Sequence, residues 1–201
     1  MIDPEKITNF DRTDSELEEL MLFAVCVAGK NARIQAEKLD TFLSNIKLMG
    51  ITPFQYIQRL EIKGLLLSEL QKSKLGKYKL LEQSFKYLAS QFQNELHAAT
   101  IEELQDAPGV GMKTARFFVL HSRPNSRVAV IDTHLLKYLK REFPNENVPK
   151  VTPQQISAYR RMERLFLQKC DEEGVAPHQG DLTCWLTKGE RISREKSPQT
   201  C

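Results

Sequence analysis

A glycine-rich turn followed closely by a lysine is the part of this chain with the most chemistry to offer. The turn is Pro108-Gly109-Val110-Gly111, and Lys113 opens the helical pattern behind it. Two glycines one residue apart let the backbone bend tightly and expose its N–H groups. With the positive end of the following helix, such groups bind one phosphate. An ordinary turn between two helices explains the glycines equally well.

Lys113 is a candidate nucleophile. The positive end of a helix dipole favours the neutral form of an amine placed there, and a neutral amine attacks electrophilic carbon atoms. By itself, however, a surface lysine that contacts a phosphate explains this position better.

Asp132 is the second candidate for chemistry. It follows the apolar residues Val130 and Ile131 and opens another helical pattern, which is the usual place of an N-cap. A carboxylate so placed can also stabilise the positive charge that develops on a sugar as its base departs. Capping and catalysis are compatible roles for one aspartate.

The runs LQDAPGVGMKTARFFVL and VAVIDTHLLKYLKR, taken together, resemble the helix-hairpin-helix DNA glycosylases, which include endonuclease III and the 8-oxoguanine glycosylases. The chain departs from the family pattern at Ala107, before the proline, and at Ile131, an additional residue before the aspartate. The resemblance covers residues 100–141, and the flanking parts agree only in helical character and length.

This resemblance implies a bifunctional enzyme, a glycosylase that also cleaves the abasic strand by β-elimination. Lys113 would attack the sugar C1′ carbon and form a Schiff base, while Asp132 would assist departure of the base and activate the lysine. His134 would lie near the DNA backbone. The resemblance also implies that a phosphate-binding turn and its surroundings contact DNA through Gly109, Val110, Gly111 and Thr114.

Such enzymes rotate the target nucleotide out of the duplex, and a side chain must fill the gap. The resemblance places these fillers in two loops, Lys30-Asn31 and Leu75–Tyr78, with Lys77 as a further DNA contact. A plain helix cap at Asn31 is an equal alternative. Three aromatic residues are candidates for stacking on the extruded base: Trp185, Phe166 and Tyr159. We retain Trp185, although a position in the core is more common for such residues.

The cysteines bear indirectly on which damaged base is the substrate. Cys26, Cys170, Cys184 and Cys201 lack the spacing of an iron–sulfur loop, so no cluster, metal or other cofactor is expected. That favours the cluster-free 8-oxoguanine branch, with an oxidised-pyrimidine glycosylase of the endonuclease III type as the alternative. A non-catalytic helix-hairpin-helix DNA-binding protein is a third interpretation. It leaves Lys113 and Asp132 without a purpose, since phosphate binding needs neither.

The elements that position these residues are predicted to be all α-helical, roughly ten in number. We expect two helical lobes flanking a DNA-binding cleft: a helical barrel over residues 20–125, with the hairpin motif at 101–121, and a second lobe from 1–19 plus 126–201. Thr13, Asp14 and Ser15 are candidate caps of the first long helix, and Ser15 with Glu18 is expected to form a capping box. Further caps are expected at Thr52-Pro53, at Thr100 with Glu103, and at Thr152-Pro153 at the start of a long helix. The apolar run 128–131 is too isolated to build a sheet.

Composition adds only weak constraints. The chain has 201 residues and 41% hydrophobic residues, enough for a core, and a net charge of +3 that is compatible with nucleic acid without arguing for it. Cys26 lies in an apolar run and is expected in the core. We expect no membrane span and no secretory signal, hence a cytoplasmic or nucleoid-associated monomer whose partner is double-stranded DNA with a damaged base. The polar tail from Ser193 onward is expected to fray.

Overall fold

The structure, a computed structural model, describes residues 1–193, and the predicted fraying of the tail, with Cys201, lies largely outside them. Within that range the chain is helical and contains no β-strand, which confirms the all-α prediction. A short 3-10 helix, Pro4–Lys6, precedes α1 (Asp14–Val27), α2 (Ala32–Phe42), α3 (Ile46–Met49), α4 (Pro53–Ile62), α5 (Leu66–Lys72), α6 (Tyr78–Gln91), α7 (Ile101–Gln105), α8 (Met112–Ser122), α9 (Thr133–Glu142), α10 (Ile156–Glu173) and α11 (Pro177–Leu186). None of the helices in residues 1–193 is both long enough and apolar enough to cross a membrane.

The chain divides into two compact units, Met1–Arg123 and the part from Pro124 onward. This division differs from the predicted one in the place of residues 1–19, which pack within the N-terminal unit. The Asn9 N–H donates to the His121 carbonyl over 3.2 Å, and the Arg12 guanidinium donates to the same carbonyl over 2.9 Å. The N-terminal segment is therefore bound to α8.

The core of the N-terminal unit surrounds α1, which contacts α2, α4, α6 and α8. From Leu20 to Cys26 every side chain of α1 is buried, so the helix is apolar on nearly all sides. Cys26 is one of these core residues, as predicted, and burial raises the pKa of its thiol to about 12. A thiol with so high a pKa is inert, which fits a packing role.

The first predicted capping box was wrong by two residues. Thr13, one of the three expected caps, is the N-cap of α1, and it forms the capping box with Glu16. Glu18 is buried instead, and its carboxylate accepts the Phe54 N–H in the first turn of α4 over 2.8 Å. Burial raises the pKa of Glu18, and its hydrogen bonds oppose that rise. Glu18 thus links α1 to α4. It supplies the acceptor for a buried N–H that would be costly to leave without a partner.

In the C-terminal unit, α9 packs against α10 and α11. The prediction that Thr152-Pro153 opens α10 was wrong, since the helix begins at Ile156. The Thr152 hydroxyl donates to the Ile131 carbonyl over 2.9 Å and so takes part in a tertiary contact rather than a cap. The last helix begins at Pro177 and carries Trp185.

Candidate functional site

Helices α7 and α8 contact each other and are joined by a short turn, so the predicted helical hairpin is present. Thr100 and Glu103 form the predicted capping box at the start of α7. Gly109 has a φ of +79°, whereas Gly111 is the extended N-cap of α8. No side chain in the described part of the chain caps α8. The N–H groups of its first turn therefore lack a side-chain acceptor and can serve an anion.

Helix α6 supports this turn from the side. The Leu80 side chain lies so close to Gly109 that a Cβ added there would come within 3.1 Å of it. The Ser84 hydroxyl, which is buried, donates to the Pro108 carbonyl. Sequence reasoning missed Leu80 and Ser84, because neither has a local pattern that reveals a contact with a turn so far along the chain.

Lys113 lies in the first turn of α8 and is partly exposed, whereas Val110 and Thr114 are buried. The Val110 N–H is already used, because it donates to the Ala107 carbonyl over 3.0 Å. The predicted DNA contacts of Val110 and Thr114 stay predictions, and burial gives both side chains a packing role. Lys113 thus supplies a partly exposed primary amine in the first turn of α8.

The two loops proposed as gap fillers contact each other. The Lys30 ammonium donates to the Leu75 carbonyl, and the Lys77 ammonium donates to the Ala28 carbonyl over 3.1 Å. We call residues 28–31 and 74–77 the paired turns. Lys77 immediately precedes α6, and Leu80 in the first turn of α6 contacts Gly109, so the paired turns and the hairpin lie at the same end of α6.

The two lysines of the paired turns differ in their surroundings. Burial is the main cause that lowers the pKa of Lys30; the nearby Lys77 and Lys38 lower it further, against an opposing effect of Cys26. Lys77 itself is exposed. The Asn31 amide oxygen accepts the Ile34 N–H over 3.1 Å, so Asn31 is the N-cap of α2. That confirms the capping alternative for Asn31, and its role as a gap filler stays a prediction.

Asp132 is the N-cap of α9, as predicted, and its Oδ1 accepts the Leu135 N–H over 2.9 Å. The extended residues before it are held by side chains rather than by a strand. The Tyr159 hydroxyl accepts the Ile131 N–H over 3.0 Å and donates to the Ala129 carbonyl over 3.0 Å. Glu163 accepts the Ala129 N–H over 3.0 Å. Tyr159 is fully buried and is therefore not available for stacking on a base.

His134 and Trp185 are both half-buried in the C-terminal unit. The His134 carbonyl lies against Gly189, which has a φ of +85° and has no room for a Cβ beside that carbonyl. The Arg141 guanidinium donates to the Gly189 carbonyl over 3.2 Å. The turn after α11 therefore packs along α9, against His134 in its first turn and Arg141 in its last. The assigned roles of His134 and Trp185 stay predictions.

Comparison with known proteins gives one informative result. No family model and no curated protein sequence matches this chain. Its structure is similar to the crystal structure of the Methanocaldococcus jannaschii 8-oxoguanine glycosylase/lyase in complex with a 15mer DNA containing 8-oxoguanine. The TM-score is 0.65 with 15% sequence identity, and the match covers 95% of this chain and 89% of the archaeal one. The chain has the glycosylase/lyase fold.

The glycosylase/lyase fold extends the sequence resemblance well beyond residues 100–141, since nearly the whole chain is matched. Within it, the N-terminal unit carries Lys113, the hairpin and the paired turns. The C-terminal unit carries Asp132, His134 and Trp185. At 15% identity the likeness shows the fold alone, so the roles of these residues rest on their own geometry.

Proposed function

We propose that this protein is a base-excision DNA glycosylase that also cleaves the abasic strand. The observation that carries the proposal is the position of Lys113, in the first turn of a helix whose N–H groups no described side chain caps, directly behind a glycine turn. A phosphate bound by those N–H groups would bring a nucleotide's backbone next to a primary amine.

The surface around the hairpin fits a DNA backbone. Lys74, Lys77 and Lys79 are exposed in the paired turns and the first turn of α6, at the same end of α6 as the hairpin. Contacts of this kind hold a protein on a duplex without reading its sequence. They suit an enzyme that must find a damaged base in any sequence context.

The chemistry that we assign begins with attack of the Lys113 amine on the sugar C1′ carbon. The bond from C1′ to the base breaks, and the base leaves with the electron pair and takes up a proton. Asp132 stabilises the positive charge that develops on the sugar. The amine then loses its proton and the sugar ring opens to a Schiff base. Loss of a C2′ proton expels the 3′ phosphate, which nicks the strand.

We further infer an oxidised base as the substrate, with 8-oxoguanine preferred. Support comes from the similar archaeal glycosylase/lyase, whose crystal structure contains 8-oxoguanine DNA. A panel of duplexes, each with a single oxidised purine or oxidised pyrimidine, tests this preference. Excision of the pyrimidine lesions alone would assign the endonuclease III type of substrate instead.

The nucleophile is tested by borohydride trapping on a duplex with one 8-oxoguanine. We expect a covalent protein–DNA adduct with the wild-type protein, none with Lys113→Gln, and a strongly reduced yield with Asp132→Asn. Lys63→Gln is the matched control, because Lys63 is an exposed lysine at the end of α4 and should leave the adduct unchanged.

An adduct that survives Lys113→Gln would refute the assignment of the nucleophile. A protein that binds the duplex but neither excises a base nor nicks an abasic strand would be the non-catalytic DNA-binding protein. The abasic duplex separates these outcomes, because it needs no lesion recognition.

A further inference from the structure

We propose that Tyr159 is a positioning residue for Asp132, a role that rests on the proposed function. Tyr159 lies in α10, remote in sequence from the segment 129–131 that leads into Asp132. Its hydroxyl bonds to that segment twice, and these bonds set the backbone from which the Asp132 side chain projects.

The segment needs side-chain partners because it is buried and lies outside any helix or strand that would pair its backbone groups. Ala129, Val130 and Ile131 are buried, with at most 4% of each residue exposed, yet they belong to no helix or strand. Buried backbone N–H and carbonyl groups must find hydrogen-bond partners. For the N–H and carbonyl groups of Ala129 and Ile131, the partners are the side chains of Tyr159, Glu163 and Thr152.

Side chains of helix α10 therefore form hydrogen bonds that a neighbouring strand would otherwise provide. Tyr159 and Glu163 are four residues apart and so project from the same face of the helix. The Glu163 carboxylate accepts the Ala129 N–H, while the Tyr159 hydroxyl donates to the Ala129 carbonyl and accepts the Ile131 N–H. One hydroxyl thus satisfies a donor and an acceptor of the same segment.

The connection to Asp132 is direct. Ile131 precedes it, and both polar backbone groups of Ile131 are held, the N–H by Tyr159 and the carbonyl by Thr152 over 2.9 Å. On the other side, Asp132 is fixed by its own bond to the Leu135 N–H. Small displacements of a catalytic carboxylate are costly to a reaction rate. Loosening Ile131 should therefore impair base excision without removing any group from the reaction.

The first test measures how firmly the segment 129–131 is held, and it does not depend on enzymatic activity. Amide hydrogen exchange at Ile131 is followed by NMR in the wild type, Tyr159→Phe and Tyr138→Phe. We expect exchange at Ile131 to be about tenfold faster in Tyr159→Phe, because the Ile131 N–H loses the one bond that it donates to the tyrosine hydroxyl. Tyr138→Phe is the matched control: Tyr138 is a buried tyrosine of the same unit whose ring contacts Arg141 and whose hydroxyl makes no described hydrogen bond.

The second test measures single-turnover excision on the lesion duplex. We expect Tyr159→Phe to excise the base about tenfold more slowly, because both hydroxyl bonds to the segment before Asp132 are lost. Tyr138→Phe should excise at the wild-type rate. In an Asp132→Asn background, Tyr159→Phe should cause no further loss, because its effect passes through the aspartate. A merely structural role would add the same loss in both backgrounds.

Each outcome has a distinct consequence. Faster exchange at Ile131 with wild-type excision would overturn the positioning role and leave the proposed function standing. Absence of excision by the wild type would overturn the proposed function, and exchange would still decide whether Tyr159 holds the segment. If Tyr159→Phe unfolds, Thr152→Val replaces it, since it removes the other bond to Ile131. It should slow excision, whereas Thr152→Ser, which keeps the hydroxyl, should not.

Discussion

The two glycines of the hairpin turn occupy different backbone conformations. Gly109, with a φ of +79°, lies in the left-handed region that favours glycine, and Leu80 leaves little room for a side chain there. Gly111 has a φ of −95°, which any residue adopts, and a Cβ at that position would meet nothing within 4 Å. Only Gly109 is required by the fold, so any need for glycine at position 111 must come from a ligand.

The same substitution at both glycines should therefore have opposite effects on stability. Gly109→Ser is expected to lower the free energy of unfolding by about 1–3 kcal/mol, because of backbone strain and the contact with Leu80. Gly111→Ser should preserve or slightly raise it, since serine is a better N-cap than glycine. Its hydroxyl would then compete with a phosphate for the N–H groups of α8 and weaken DNA binding.

Urea unfolding and fluorescence anisotropy with labelled duplex measure the two effects. Equal loss of stability in both variants would show that the turn does not have the conformation described. Unchanged DNA affinity in Gly111→Ser would show that the start of α8 binds no phosphate.

At the scale of elements, the paired turns depend on each other through lysine head groups. Lys30 lies in the turn between α1 and α2 and binds the carbonyl of Leu75, whereas Lys77 binds the carbonyl of Ala28. Neither turn belongs to a helix, and Gly29, Gly76 and Lys77 all have positive φ. Two crossed hydrogen bonds therefore make one surface from two separate segments of backbone.

Lys30→Met should separate the paired turns while keeping the length of the side chain. We expect faster amide exchange at residues 75–77 and about tenfold weaker binding of the duplex, since a mobile surface must be ordered on binding. Lys74→Met is the matched control, because it removes an equal charge from the same turn, and Lys74 makes no described bond to the other one. Equal effects of the two variants would show that Lys30 acts only through its charge and not through its bond to the Leu75 carbonyl.

At the scale of the whole molecule, positive charge is nearly balanced, with 29 Lys and Arg against 26 Asp and Glu. A net charge of +3 gives little general attraction to DNA. The proposed function therefore requires a local basic surface, which the exposed lysines near the hairpin provide.

Salt dependence measures the size of that surface. With about four phosphates neutralised, the logarithm of the binding constant should fall with the logarithm of salt concentration at a slope of about −4. Raising salt from about 50 to 200 mM would then weaken binding on the order of a hundredfold. A slope close to zero would contradict binding through a basic surface, whatever the activity of the protein.

The sequence determined those features whose partners lie within a few residues of each other. The caps at Thr52, Thr100 and Asp132 and the hairpin turn were predictable, because each depends on hydrogen bonds or φ angles inside one short segment. The all-α character followed from the periodicity of apolar residues, which is likewise local.

Only the tertiary structure decided what distant polar groups do. Glu18 and Thr152 have the residue types of caps, but each bonds to a buried backbone group remote in sequence, at Phe54 and at Ile131. The same holds for Tyr159, whose hydroxyl bonds to the Ile131 N–H and the Ala129 carbonyl, 28 and 30 residues earlier in the chain. A local pattern shows which side chains can form hydrogen bonds. Which backbone groups become buried and need a partner is settled only when the helices pack.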